Sequence, residues 1–174
     1  LSAIAKYGDD EREVAHRIGN YDGKVYLDLA DEKWRVVEID GKGFRLTSSP
    51  PLAFYRSKSD APLPVPEEEG DLELLWKYVN VAERDRLLCL SWIIECFRRD
   101  TPDPLLEING QQGTRKSVTQ NNLRELIDPN QVNLRSMPQN LDDLLVPAVH
   151  SLIASFENVS NLPNEMQDHL CTMA

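Results

Sequence analysis

The chain of 174 residues carries a formal net charge of −10, with 28% charged and 41% hydrophobic residues, a balance of folded rather than disordered proteins. That acidity argues against a surface built mainly for a nucleic-acid backbone, where basic patches are needed. No apolar run approaches the ~18 residues that span a bilayer and no charged-then-apolar leader opens the chain, so a cytosolic protein without membrane attachment is expected.

From Glu13 to Arg56 the pattern is mostly β. Glu13 to Ile18, Lys24 to Leu29, Trp34 to Ile39, Phe44 to Thr47 and Leu52 to Tyr55 are short β-branched, aromatic or alternating runs separated by turn-forming stretches. They predict a small antiparallel meander with Tyr26 and Trp34 in its core rather than on a base-stacking surface. Ser57 to Gly70 holds Pro62, Pro64, Pro66 and the acidic run Glu67 to Glu69. Proline lacks the N–H a ladder needs, so this stretch reads as a linker. Asp71 is placed to cap a helix bearing Leu72, Leu75, Trp76 and Val79. Ala82 to Arg99 reads as a longer helix, apolar around so much of its circumference that neighbours are expected on two sides. Cys89, Cys96 and Cys171 sit in apolar settings without ligand spacing and are expected as buried, reduced thiols.

An apolar run opening at Leu105 predicts a strand, followed by a glycine-bearing loop and a helix over Lys116 to Ile127 that ends at Asp128-Pro129-Asn130. Val132 to Ser136 predicts a second strand and Pro138 to Val149 a second helix. Ser151 to Phe156 is a further apolar run closed by Glu157-Asn158, and Pro163 to Ala174 begins a last helix. Strands alternating with helices specify a parallel sheet with helices on its faces. The expected organisation is a β-rich module over 1–60, an acidic proline-rich linker over 61–70, a helical connector over 71–103 and a partial α/β core over 104–174. A start at Leu1 and a stop at Ala174 inside a helical pattern predict a fragment of a longer protein.

The loop reads Gly-Gln-Gln-Gly-Thr-Arg-Lys-Ser from Gly110 to Ser117. Small residues let backbone N–H groups close on phosphate oxygens, a lysine supplies charge for the β- and γ-phosphates, and a hydroxyl at the helix start can complete a magnesium shell. Gly110, Gln111, Gln112, Gly113, Thr114, Arg115, Lys116 and Ser117 are therefore the candidate ATP-binding residues. The usual spacing, G-x-x-x-x-G-K-[ST], has a glycine where this chain has Arg115. A position that opens a helix accepts helical angles, so Arg115 is expected to be tolerated there. Glu157, at the end of the later apolar run, can reach a magnesium ion held by Ser117. The competing readings are a polar turn for the loop and a solvated acid for Glu157.

The loop, Leu126-Ile127-Asp128-Pro129-Asn130, Leu134 to Pro138, Asp142-Asp143-Leu144, Ser155 to Ser160 and Asp168 to Cys171 together resemble the ATPase domain of phage and mobile-element proteins of the superfamily 3 helicase or primase-helicase type. Tyr21 to Leu29 and Trp34 to Glu38 are similar to the β-rich segment that precedes it. The resemblance implies an AAA+-like ATPase that binds ATP with Mg2+, assembles as a homo-oligomeric ring and acts on DNA during replication, with its DNA contacts mostly outside these residues. It implies that Lys116 contacts the phosphates and that Ser117 and Glu157 serve the metal. Asn158 stands where many such ATPases keep a catalytic glutamate; an amide can orient a water but cannot take its proton. The expected whole is an α+β chain with a partial parallel-sheet P-loop core, working as a helicase-type motor segment of a replication protein. The alternative is a non-catalytic scaffold or regulatory assembly module with a degenerate nucleotide-binding fold.

Overall fold

The computed structural model describes residues 14–99, 101–138, 143, 151–159 and 164–173. The first half is a six-stranded sheet of β1 (Val14–His16), β2 (Ile18–Tyr21), β3 (Lys24–Asp28), β4 (Val36–Asp40), β5 (Gly43–Thr47) and β6 (Ala53–Tyr55), in the order β5-β4-β3-β2-β1-β6. Strands β2 to β5 form the expected antiparallel meander, whereas β1 pairs with β6 in parallel, Val14 opposite Ala53. The single strand expected over Glu13 to Ile18 is in fact broken at Arg17, whose φ of 61° separates β1 from β2. Asp22 and Gly23, at φ 49° and 72°, make the β2–β3 turn. Positive φ at both central residues matches the strand twist, and an Asp-Gly pair adopts it with little strain.

The two-residue period of the strands loads both faces of the sheet. Tyr26 and Val36 pack with Leu52 and Phe54, while Leu27, Val37 and Ile39 pack with Leu29 and Leu63. Leu63 comes from the proline-rich stretch and donates its N–H to the Leu29 carbonyl at 2.9 Å. Trp34 is a correction to the expected core: it is 58% exposed, at φ 54°, with its ring 3.8 Å from the Arg56 guanidinium. It lies in the β3–β4 connection, where Arg56 is held against it by the Asp28 carboxylate at 2.5 Å and the Asp31 carbonyl at 2.6 Å.

Asp71 caps as expected, its Oδ1 accepting from the Glu73 N–H at 2.9 Å. The helix it starts is short: a 3-10 turn over Leu72–Leu74 continued by α1 (Leu75–Tyr78). The long helix is α2 (Arg86–Glu95), preceded by a 3-10 turn over Glu83–Asp85. Cys89, Ile93 and Cys96 pack with Val79 and with Leu123 and Ile127 of α3 (Lys116–Ile127). Leu87, Leu88 and Ile94 are exposed. Of the two packed sides expected for this helix, one is found among the described residues. The chain continues through β7 (Arg135–Ser136), β8 (Phe156–Glu157) and α4 (Asn164–Met173). Of the helix expected over Pro138 to Val149, only Pro138 and Asp143 fall among the described residues.

The run opening at Leu105 is not a strand. Leu106 and Ile108 pack against the helical core while Leu105, Glu107 and Asn109 face outward, so the alternation is there. The ladder is not, because no described strand lies alongside to exchange hydrogen bonds. Parallel pairing among the later described residues is confined to β7 with β8, Arg135 opposite Phe156 and Ser136 opposite Glu157. The chain thus mixes strands and helices, and none of its described helices is long and apolar enough to cross a membrane.

One buried ion pair joins the sheet to the helical half. Arg17 Nε donates to Asp128 Oδ1 at 3.1 Å, with the two side chains 1% and 0% exposed. Arg17 also donates to the carbonyls of Asp28 at 3.4 Å, Ala61 at 3.0 Å and Pro129 at 3.1 Å. Beside it, Asp60 bridges to Asn130 and the N–H groups of Ala61 and Gln131 reach the carbonyls of Pro129 and Ser59. Removing one member of a buried pair strands the other charge, at ~3–5 kcal/mol. Arg17→Met and Asp128→Asn are each expected to lower the unfolding free energy by about that much in urea titrations. A loss below about 1 kcal/mol, the range of exposed pairs, would show that the pair is not the joint.

Cys89 and Cys96 are buried as expected, whereas Cys171 is exposed on α4. Burial, aided by Asp103 and Glu95, pushes the Cys96 thiol up to about 12 from an ordinary 9.0. A raised value in the folded state means that its contribution to stability is complete below pH ~9 and drains away between there and ~12. At pH 8, a disulfide-exchange reagent is expected to label Cys171 rapidly and the other two only in denaturant. Urea midpoints should fall as pH rises above 9; equal labelling of all three native thiols would contradict the burial.

Candidate functional site

The loop from Gly110 to Ser117 closes on itself. Lys116 Nζ donates to the carbonyls of Gly110 at 2.7 Å and Gln111 at 2.8 Å, and Thr114 Oγ1 donates to the Gln111 carbonyl at 2.8 Å. A Cβ on Gly110 would lie 2.8 Å from Thr114 Oγ1, so that position admits no side chain without a shift. Gly113 sits at φ 84°. Lys116 is half-buried, while Gln112, Thr114, Arg115 and Ser117 are exposed. No side chain caps α3, which leaves its first-turn N–H groups for an anion or water.

Arg115 does not adopt the helical angles expected of it. It precedes α3 at φ 60° and ψ 30°, in the left-handed region. The glycine usual at this position thus supplies backbone freedom and not only space, and an L-residue there costs ~1–2 kcal/mol.

What brings the second half of the site to the loop is a polar stripe on α3. Lys116, Gln120, Arg124 and Asp128 recur every fourth residue and so share one face. Asp128 Oδ2 accepts from the Ile153 N–H at 3.1 Å, and Arg124 donates to the Ile153 carbonyl. Gln120 Nε2 donates to Ser155 Oγ at 2.8 Å and the Phe156 carbonyl at 2.7 Å. The segment therefore runs against the helix direction, from Asp128 toward Lys116. Glu157, half-buried at the end of β8, follows the last of these contacts toward the α3 N-terminus. Asn158 comes next, exposed and at φ 57°, a conformation asparagine tolerates. Burial pulls the Arg124 guanidinium below its ordinary value and Asp128, 3.7 Å away, opposes that shift.

Two features were missed in reading the sequence. The first is this stripe, whose four-residue spacing was visible but lay beside the apolar positions Leu123 and Ile127. The second is Asn80, which donates from Nδ2 to the Thr114 carbonyl at 3.0 Å and from its N–H to Thr119 Oγ1 at 3.1 Å. A groove of about 650 Å³ between Leu72–Tyr78 and the Asn122–Leu126 side of α3 lies along the helix, beyond the loop that bears the candidate chemistry.

Because the Arg115 strain is conformational, Arg115→Gly is expected to raise the unfolding free energy by ~0.5–1.5 kcal/mol, net of the greater freedom glycine gives the unfolded chain. A urea midpoint equal to or below the parent's would place Arg115 outside the left-handed region in solution.

Residues 72–174, more than half of the chain, match the family model of the actinomycete integrative conjugative element replication protein. No curated protein and no solved structure matches the chain. The matched span opens at the helical connector and takes in the loop, the polar stripe and β8. The chain belongs to the family of actinomycete integrative conjugative element replication proteins.

Proposed function

We propose that the chain is the ATP-binding segment of a helicase-type replication motor carried by a mobile element. The observation that supports it best is the arrangement of α3. A closed glycine-bearing loop with its lysine enters the helix at an uncapped N-terminus, and the stripe Gln120, Arg124 and Asp128 leads an acid-ending strand back toward that same terminus. Phosphate chemistry of this kind rests on positioning and on fixed charge more than on covalent steps.

The residues fit MgATP. Gly110 lies against Thr114 too closely for a side chain, and Lys116 already folds its ammonium into the loop. In this reading Lys116 exchanges its two carbonyl partners for the β- and γ-phosphates, and the first-turn N–H groups of α3 donate beside it. Ser117 and Glu157 would hold a magnesium ion, which neutralises phosphate charge when bound. Asn158 orients a water without deprotonating it, so hydrolysis depends on geometry and electrostatics. Ring assembly and DNA contact belong to the same proposal, through surfaces mostly outside these residues.

A second reading, a scaffold with a degenerate nucleotide fold, is favoured by one observation: Arg115 strains the position where a glycine relaxes the loop. Single-turnover ATP hydrolysis with and without single-stranded DNA separates the two, since product above background in neither condition selects the scaffold. For binding itself, Lys116→Ala is expected to weaken MgATP by about ten- to hundredfold, the worth of a charged hydrogen-bond donor. Calorimetry returning the same affinity for parent and variant would remove Lys116 from the site.

A further inference from the structure

Asn80 lies outside the loop, in the connection between α1 and the 3-10 turn at Glu83–Asp85, yet it is bonded to both ends of the segment that carries Lys116. Its Nδ2 reaches the Thr114 carbonyl at 3.0 Å and its N–H reaches Thr119 Oγ1 at 3.1 Å. Its own backbone is fixed: the preceding Val79 is 1% exposed in the helical core, with Val81 packed against the same cluster. Asn80 thus reaches the loop from a backbone anchored on both sides in the helical core.

The bond to Thr114 has a directional effect. The chain has no cis peptide among its described residues, and in a planar trans peptide the carbonyl and the following N–H point in opposite directions. Drawing the Thr114 carbonyl toward Asn80 therefore turns the Arg115 N–H away from the connector. This peptide joins Thr114 to Arg115, the residue that precedes α3, and is flanked by Gly113 at φ 84° and Arg115 at φ 60°. Left-handed residues near a helix start make successive N–H groups converge on an anion. Without an external donor such a plane can flip, because the strained Arg115 does not favour the conformation by itself.

We propose that Asn80 is the positioning residue of the phosphate loop, a side-chain donor from the connector that sets the Thr114–Arg115 peptide so that its N–H is offered to the phosphates. The inference rests on the nucleotide-binding reading above. It concerns how the loop is shaped, and the residue makes no contact with the nucleotide base or sugar.

The test uses the full chain with MgATP and with magnesium tripolyphosphate, which has the phosphates alone. Asn80→Asp keeps the side-chain size and the backbone bond to Thr119 but has no donor for Thr114; the neutral Asn80→Ala separates loss of the donor from added charge. Asn80→Ala is expected to bind each probe about fivefold more weakly, the value of one neutral hydrogen bond, and Asn80→Asp more weakly still because its carboxylate also repels the phosphates, with far-UV circular dichroism equal to the parent's. Parent-like affinity in Asn80→Ala, whatever Asn80→Asp does, would overturn the role of Asn80 while leaving the nucleotide site in place. A loss confined to MgATP would also overturn it, because the effect would then lie at the base or sugar. If the parent binds neither probe, the nucleotide reading itself fails and this inference with it.

Discussion

The joint between the two halves of the molecule is centred on the Arg17–Asp128 contact. Arg17 occupies a break between two strands and Asp128 the end of a helix, 111 residues later, and both are withdrawn from water. Two such groups are costly to desolvate, and the cost is met only when nearly every donor and acceptor is used. Arg17 spends its remaining donors on three carbonyls, and Asp128 spends its second oxygen on the Ile153 N–H. The guanidinium thereby aligns the sheet, the proline-rich stretch and the end of α3, and Asp128 carries the connection on to the segment that ends at Glu157. The left-handed backbone at Arg17 follows from this demand: the side chain is aimed into the interior at a point where a continuous strand would have sent it to one face of the sheet.

The same logic runs down α3. Its apolar positions Leu123 and Ile127 seat it in the core, while the polar positions four apart reach across to a segment that offers mostly backbone groups, with the Ser155 hydroxyl beside them. Backbone partners at Ile153 and Phe156 fix where the segment lies, and the Ser155 hydroxyl adds one side-chain contact to that register. The loop end of the helix is thus held from three directions: by its own lysine, by the connector through Asn80, and by the stripe through Gln120.

Much of this was legible in the amino-acid order. The meander showed itself because short strands with two-residue alternation and an Asp-Gly turn carry a local signal, and the helix over Lys116–Ile127 showed itself by the glycine-bearing loop before it and the Asp128-Pro129-Asn130 stop after it. What escaped was whatever depends on distant partners. An arginine after Ala15-His16 looks like any solvent-facing strand residue until Asp128 is brought to it. The apolar run from Leu105 was read as a strand, but a strand also requires a neighbour, which no local pattern can supply. Trp34 was placed in the core on its composition, whereas a connection crowded with Asp31 and Arg56 left it outside. Arg115 was expected at helical angles because it opens a helix, whereas it stands one residue before the helix in the left-handed region.

The exposed Trp34 stacked under Arg56 has an optical consequence. Of the three tryptophans, Trp34 stands at the rim of the sheet beside a cation, whereas Trp76 and Trp92 pack against the helical core. The indoles therefore report on different halves of the chain from different polarities. With Trp34 retained alone in one form and Trp76 with Trp92 in another, emission during denaturation reads whether the two halves melt as one body or in succession. Coincident curves would mean that the joint around Arg17 and Asp128, with the Asp60–Asn130 bridge beside it, makes the chain one cooperative unit.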